Sequence, residues 1–279
     1  MKSKKRALKV MTEKEKHGKL LSEHKILRFN LSKGGFEASA DLVAIEDLVN
    51  LYVNDSLYAV FHCLPSQIKE LAIGHLLTEG IVSGIKEILE IKVAKRRVRV
   101  QLTRELSHQT LKEIQLISTM CGEGRLKPPP RTLRNAYKLK FNRNKFNAEI
   151  IFRAMKILNS RASIFRASGG THAAALLDEN GALIAFAEDV GRHNAVDKVV
   201  GEAAMKKADF SGLLLASTGR LTSEIVIKTL QMGIPVLASL SAPTDRGIKL
   251  AEAFGLTLIG FIRGKRFNLY SSPERIKID

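Results

Sequence analysis

The two cysteines of this chain sit in unlike surroundings. Cys121 stands in Cys121-Gly122-Glu123-Gly124, with Arg125 and Lys127 close behind. Thiolates form more readily beside cations, and glycines let a loop swing toward a partner. Against this, the preceding segment reads as a helix, and the negative partial charge at a helix end raises a thiol pKa. Residue chemistry alone leaves Cys121 open between a reactive thiol and a packing residue. Cys63 lies in the apolar run Val60-Phe61-His62-Cys63-Leu64, where a buried, inert thiol is expected.

Polar residues capable of holding a ligand recur at several points. Ser217-Thr218-Gly219-Arg220, Ser241-Ala242-Pro243-Thr244 and Arg263-Gly264-Lys265-Arg266 each follow an apolar run that reads as a strand. In open α/β sheets ligands sit beyond the carboxyl ends of the parallel strands. Glycine allows close backbone approach, helix N-termini favour anions, and arginine grips phosphate in bidentate fashion. The loops contributing Gly219, Arg220, Ser241, Ala242, Thr244, Arg263, Gly264, Lys265 and Arg266 thus describe a site for a phosphate-bearing ligand. Ser, Thr and Gly are also ordinary turn and cap residues, and any one of these loops alone would be read that way.

A further cluster, Glu188-Asp189-Val190-Gly191-Arg192-His193-Asn194, stands between a strand and a helix. Its density of hydrogen-bonding types around Gly191, Arg192, His193 and Asn194 suggests a site that reads a polar heterocycle. Thr171 and His172, in Ser168-Gly169-Gly170-Thr171-His172, could serve the same site. The plain alternatives are a helix cap at Asp189 or Asn194 and structural histidines.

Several chemistries are excluded by missing motifs. A zinc deaminase needs His-x-Glu and Pro-Cys-x-x-Cys, but Ala173-Ala174 follows His172, and Gly124 takes the place of a second cysteine. No structural zinc and no metal ligands are expected. The Rossmann glycine pattern, the P-loop and the nucleophile elbow are absent as well.

The elements that must position these residues fall into two halves. Leu42 to Val60 reads as a hairpin turning at Asn54-Asp55, then a helix from Pro65-Ser66 to Gly80, two strands over Ile88–Leu102, and a helix over Thr110–Met120. Pro128-Pro129-Pro130 opens a basic linker. Beyond it, Asn147 caps a helix and Asn180-Gly181 turns a hairpin. A strand–helix alternation from Leu213 to Ile262 implies a parallel sheet covered on both faces. The organisation is α/β: a basic tail over 1–35, a smaller α+β domain over 36–135 carrying the cysteine loop, and a ligand-binding domain over 136–279.

The 279 residues carry a net charge of +17, which calls for an anionic partner. Eight lysines and arginines crowd the first twenty positions as a solvated tail, and no aromatic platform for stacking bases is visible, so nucleic acid is not an expected partner. No apolar run is long enough to span a bilayer, no secretory signal is seen, and two distant cysteines fit a reducing compartment. The expectation is a cytoplasmic protein without membrane contact.

Gly169-Gly170-Thr171-His172-Ala173-Ala174-Ala175, Glu188 through Lys198, Gly219-Arg220-Leu221-Thr222-Ser223-Glu224, Ser241-Ala242-Pro243-Thr244 and Gly260-Phe261-Ile262-Arg263-Gly264-Lys265-Arg266-Phe267-Asn268-Leu269-Tyr270 resemble the FdhD family, the formate dehydrogenase accessory sulfurtransferases. The resemblance runs over about residues 40 to 272. It implies a cytidine-deaminase-like core without zinc and a homodimer. It also implies sulfur transfer from a cysteine desulfurase to the molybdenum (or tungsten) bis-molybdopterin guanine dinucleotide cofactor destined for the formate dehydrogenase catalytic subunit. GDP-like ligands would occupy the same site. The family's persulfide cysteine falls on Cys121, and its cofactor-binding stretch on Phe261, Ile262, Arg263, Gly264, Lys265 and Arg266. Many members carry Cys-x-x-Cys where this chain has Gly124, which leaves a single-thiol route. A cofactor-holding chaperone with Cys121 incidental is the alternative.

Overall fold

The computed structural model describes residues 20–106, 115–117 (backbone) and 144–278. Leu21–Asn30 (β1) and Gly35–Ala44 (β2) pair antiparallel over their whole length. A short 3-10 turn, Leu31–Lys33, joins them, with Asn30 Oδ1 accepting from Ser32 N and Gly34 at φ +66°. The tail expected over 1–35 therefore fails from Leu21 onward, because apolar residues there face their counterparts across a ribbon. Residues 1–19 lie outside the described residues.

Asp47–Val53 (β3) and Ser56–Cys63 (β4) form the expected hairpin, turning at Asn54 and Asp55 with φ +47° and +65°. Asn and Asp tolerate this left-handed region, which a two-residue turn requires. Ile68–Thr78 (α1) follows, then Ile88–Ala94 (β5), Arg97–Leu102 (β6) and Gln115–Ile117 (β7). The sheet order is β5-β6-β3-β4-β7. The helix expected over Thr110–Met120 is contradicted at β7, which pairs parallel with β4 from Ala59–Gln115 to Phe61–Ile117. In so short a run, the spacing of Leu111, Ile114 and Ile117 does not separate a helix from a buried strand. Cys121 and the linker from Pro128 to 143 lie outside the described residues.

The second half runs Phe146–Asn147 (β8), Ala148–Arg161 (α2), Ser163–Ser168 (α3), His172–Asp178 (β9), Leu183–Asp189 (β10) and Arg192–Met205 (α4). It continues through Leu213–Ser217 (β11), Ser223–Gln231 (α5), Val236–Ser239 (β12), Asp245–Phe254 (α6), Thr257–Arg263 (β13), Arg266–Ser271 (β14) and Ile276–Lys277 (β15). Asn147 caps α2 as expected, its side chain accepting from Glu149 N. The main sheet has the order β10-β9-β11-β12-β13-β14. Only β11, β12 and β13 are mutually parallel; β9, β10 and β14 join antiparallel. The sheet is mixed because tight turns at Gly181 and Gly264 leave no room for a crossover.

Helices cover both faces of the sheet. On one, Ile151, Ala154, Met155 and Leu158 of α2 pack on Leu214, Ala216, Val236 and Ala238. On the other, Val196 and Val199 of α4 and Ile225 and Val226 of α5 pack on Leu215, Leu237 and Leu258. This second cluster continues without a break into Leu51, Phe61, Leu71 and Leu76 of the first half. Burying each such side chain contributes about 2 kcal/mol. The sequence places a domain boundary at 135/136, yet this core spans it. The two halves meet where α1 crosses α4. A Cβ on Gly74 would stand 1.7 Å from the Asp197 carbonyl oxygen, and one on Gly201 1.9 Å from that of Glu70. Only glycine lets the two backbones approach this closely. Among the described residues no helix is long and apolar enough to cross a membrane.

Candidate functional site

A pocket of about 470 Å³ opens at the carboxyl ends of β11, β12 and β13. Its polar wall is Thr171, His172, Thr218, Ser241 and Arg263; its apolar wall includes Ala162, Phe165, Val190 and Leu240, with Gly169 and Gly170 alongside. Of the residues the sequence nominates, Thr171, His172, Ser241 and Arg263 come together here. β9 enters the sheet at this edge, so His172 lies beside the β11 loop. His172 Nδ1 is 3.3 Å from Thr218 Oγ1, which also accepts from Ala173 N at 3.0 Å. Burial first, then the charges of Arg192 and Arg220, lowers the His172 pKa, so the ring is neutral at pH 7.

The strand ends are fixed by hydroxyls that cap their own loops. Ser217 Oγ accepts from Gly219 N, while Ser239 Oγ donates to Gly219 O at 2.7 Å and accepts from Ser241 N. Ser241 O in turn accepts from Phe261 N at 3.1 Å. β13 is irregular at this point: its register with β14 shifts between Gly260 and Arg263, and Phe261 has φ +51°. The irregularity buries Ile262, leaves Phe261 41% exposed and brings Arg263 to the pocket. Gly264, Lys265 and Arg266 form the exposed turn beyond, outside the pocket lining.

Other nominated residues lie outside the pocket lining. Gly219 is buried under the Arg192 side chain, whose Cβ would lie 2.8 Å from a Cβ at that position. Arg220 points outward as an exposed residue. The Ala242 carbonyl accepts from Leu221 N, and Thr244 caps α6 by accepting from Gly247 N.

The Glu188–Lys198 segment turns mostly inward. Glu188 accepts from Ile164 N, Phe165 N and Thr171 Oγ1, and so holds α3 and Thr171 as walls of the pocket. Asp189 pairs with Lys198 at 2.6 Å and accepts from Gly191 N, Asn194 Nδ2 and Leu64 N. Asn194 also donates to His62 O at 2.8 Å. Lys198 Nζ donates to the Leu64 and Glu188 carbonyls. One turn further along α4, Asp197 takes both its oxygens to Lys228 Nζ at 2.9 Å, with Thr78 at 2.7 Å and His75 at 3.2 Å. Lys228 also meets Glu79 at 3.0 Å. Burial alone would raise the Asp197 pKa, but Lys228 and His75 hold it down at about 2. His193 lies 3.4 Å from Glu224, and burial, then Lys228 and Arg192, pushes its pKa down to about 3. Both signs of charge are thus neutralised in place, where an unpaired ion would be costly.

Cys63 is fully buried, and burial with the nearby Asp189 charge pushes its thiol up to about 12, an inert sulfur as the sequence suggests. Among the described residues no three His, Cys, Asp or Glu side chains group so as to hold a metal ion. Sequence reasoning passed over Ala162, Phe165, Val190 and Leu240, since apolar residues beside polar motifs carry no periodic signal of a ligand wall.

The model of the FdhD/NarQ family matches residues 44–277 of the chain. A curated relative from Sulfolobus acidocaldarius, named sulfur carrier protein FdhD, is 37% identical over 250 residues, covering 88% of this chain and 96% of the relative. One of the same name from Listeria monocytogenes is 32% identical over 261 residues, covering 92% and 99%. The crystal structure of a proposed formate dehydrogenase accessory protein from Desulfotalea psychrophila is similar at TM-score 0.75 and 28% identity, covering 92% of this chain and all of that one.

Proposed function

The chain belongs to the FdhD/NarQ family, and from that premise we propose that it is a cytoplasmic sulfur carrier for the maturation of formate dehydrogenase. The Cys121 thiolate attacks the outer sulfur of a persulfide on a cysteine desulfurase. The S–S bond of that persulfide breaks, the desulfurase thiolate leaves, and Cys121 carries the sulfane sulfur. The S–S bond of the Cys121 persulfide then breaks, Cys121 leaves as thiolate, and the sulfur passes to the metal of reduced molybdenum(IV) or tungsten(IV) bis-molybdopterin guanine dinucleotide, the substrate. That metal supplies the two electrons that make the sulfur sulfide and is itself oxidised to the (VI) state before the cofactor enters the dehydrogenase catalytic subunit. With Gly124 in place of a second cysteine, one thiol serves both steps.

The observation that carries this reading is the strand-end pocket. Its volume of about 470 Å³ lies in the usual range for small-molecule sites. Arg263 and the hydroxyls of Thr218 and Ser241 suit phosphate oxygens, while Phe165, Ala162, Val190 and Leu240 offer an apolar wall to a planar base. A guanine nucleotide arm has this split character, and Phe261, Ile262, Gly264, Lys265 and Arg266 would border it as the family's cofactor stretch. A six-stranded mixed sheet with a parallel centre and helices on both faces fits a cytidine-deaminase-like core.

Incubation with a desulfurase and cysteine, followed by peptide mass spectrometry, should place one added sulfur on Cys121. Cys121→Ala should lose it and fail to restore formate dehydrogenase activity in cells. Full restoration by Cys121→Ala would overturn sulfur transfer and leave a cofactor-holding chaperone.

A further inference from the structure

β5 stands at the end of the first-half sheet, beyond β6, and among the described residues no strand pairs with its outer side. Alternate backbone N–H and C=O groups of such an edge point away from the sheet and offer a ladder to another chain. The two faces of the edge are unlike. Ile91 and Val93 lie opposite Val100 and Val98 on the core side, yet Val93 is still 45% exposed at the rim. Leu89, where the register with β6 shifts, is 68% exposed. On the outer side Lys92 lies opposite Arg99, and Arg97 opposite Ala94.

Charge selects the occupant. Residues 88–99 hold Lys92, Lys95, Arg96, Arg97 and Arg99 against Glu90 alone. Glu90 reaches Lys92 at 2.8 Å, and Asp47 of β3 reaches Arg96 at 2.7 Å. Lys95, Arg97 and Arg99 are exposed, and among the described residues no carboxylate pairs with them. Like charges directly opposite each other weaken a ladder, so an anion beside Lys92 and Arg99 relieves their repulsion. A second copy of this edge would stack the same cations against themselves. A single-stranded nucleic acid needs an open aromatic ring to stack on, but the Tyr52 ring already carries the Arg99 guanidinium at 5.8 Å. Nor would it use the apolar rim or the open backbone. An extended peptide with acidic residues on one face and apolar residues on the other uses all three features.

We propose that β5 is a docking edge for an extended segment of another protein that alternates acidic and apolar residues, added to the sheet as a further strand. Its backbone continues the ladder, its apolar side chains cover Val93, and its carboxylates lie over Lys92, Arg97 and Arg99. The lysine and arginines that keep an unsuitable strand away from this edge become the contacts that select a suitable one. The proposal does not depend on the sulfur-carrier reading.

The probe is a fluorescein-labelled peptide alternating valine and glutamate over about eight residues, an ordinary strand length. Fluorescence anisotropy with the full chain should show binding at micromolar concentrations. A peptide of the same composition, with all its valines before all its glutamates, should bind at least about tenfold more weakly, because charge alone does not build a strand. Arg97→Glu combined with Arg99→Glu should also weaken binding at least about tenfold. Arg153→Glu combined with Lys156→Glu makes the same charge change on exposed positions of α2 and should leave binding within about twofold. Circular dichroism checks that each variant is folded. Hydrogen exchange on the native chain needs no variant: the bound peptide should slow exchange over residues 88–94. Absence of binding, equal binding of the block peptide, equal loss in the α2 variant, or unchanged exchange over 88–94 would overturn the proposal. So would an oligouridylate that binds more tightly than the peptide and is lost with the same arginines, which would mark a nucleic-acid surface instead.

Discussion

Along one edge of the main sheet, Thr218, Ser241 and Arg263 line an open pocket, while Glu188, Asp189, Asn194, Asp197 and Lys198 bond to protein partners. Both regions are polar, both follow strands, and both belong to motifs that read as ligand-binding. The difference lies in what faces them. The three loops open onto the pocket with α3 at its side wall, whereas the segment entering α4 is packed against β4, α1 and α5. A polar group in that second place must find an internal partner, and each of these does. The inward region serves the pocket indirectly, since Glu188 fixes α3 and Thr171.

If this contrast is right, substitutions in the inward region cost stability and those in the open region cost binding. The largest effect should come from Lys228→Met, which strands Asp197 and Glu79. A loss of about 3–5 kcal/mol is expected in urea unfolding, as for other broken buried pairs. A loss under 1 kcal/mol would show the network to be wetter than its burial suggests. Gly201→Ala should follow at about 3 kcal/mol, the upper end of overpacking, because its methyl meets the Glu70 carbonyl. An unchanged midpoint would mean that α1 and α4 can part.

The pH dependence of stability sharpens the comparison further. His193 is held neutral in the folded chain down to about pH 3, whereas an unperturbed histidine takes up its proton near 6.5. The unfolded chain therefore binds the extra proton between those values, so stability is full above about 6.5 and falls as the pH drops toward 3. His193→Gln should flatten the urea midpoint across that window; an identical slope would move His193 out of the inward region.

The smallest effect on stability is expected at the pocket. Arg263→Ala removes an exposed side chain, so the urea midpoint should hold while GDP binding by calorimetry weakens about tenfold, one charge-assisted contact. Equal loss at both would erase the distinction between the regions.

Much of the scaffold was legible in the sequence. Asn54-Asp55, Asn180-Gly181, Asn147 and Thr244 act locally, through turn and cap geometry that needs no distant partner. The strands β11 to β13 were visible as apolar runs between helices. The β1–β2 ribbon was missed because its apolar residues face solvent, where burial does not reinforce the alternation. The segment at β7 reads as helix because Leu111, Ile114 and Ile117 fall at helical spacing, and over so short a stretch that spacing does not exclude a strand.

The candidate site divides in the same way. Sequence alone determined that Thr171, His172, Ser241 and Arg263 stand next to strand ends, since strand–helix alternation fixes which loops share an edge. It could not tell that Gly219 makes room for Arg192, or that Asp197 and Lys198 face opposite internal partners. A carboxylate carries the same chemistry in the sequence whether it greets a ligand or a lysine. Only the packing of α1 on α4, through Gly74 and Gly201, decided which polar groups were sealed inside and which stayed open.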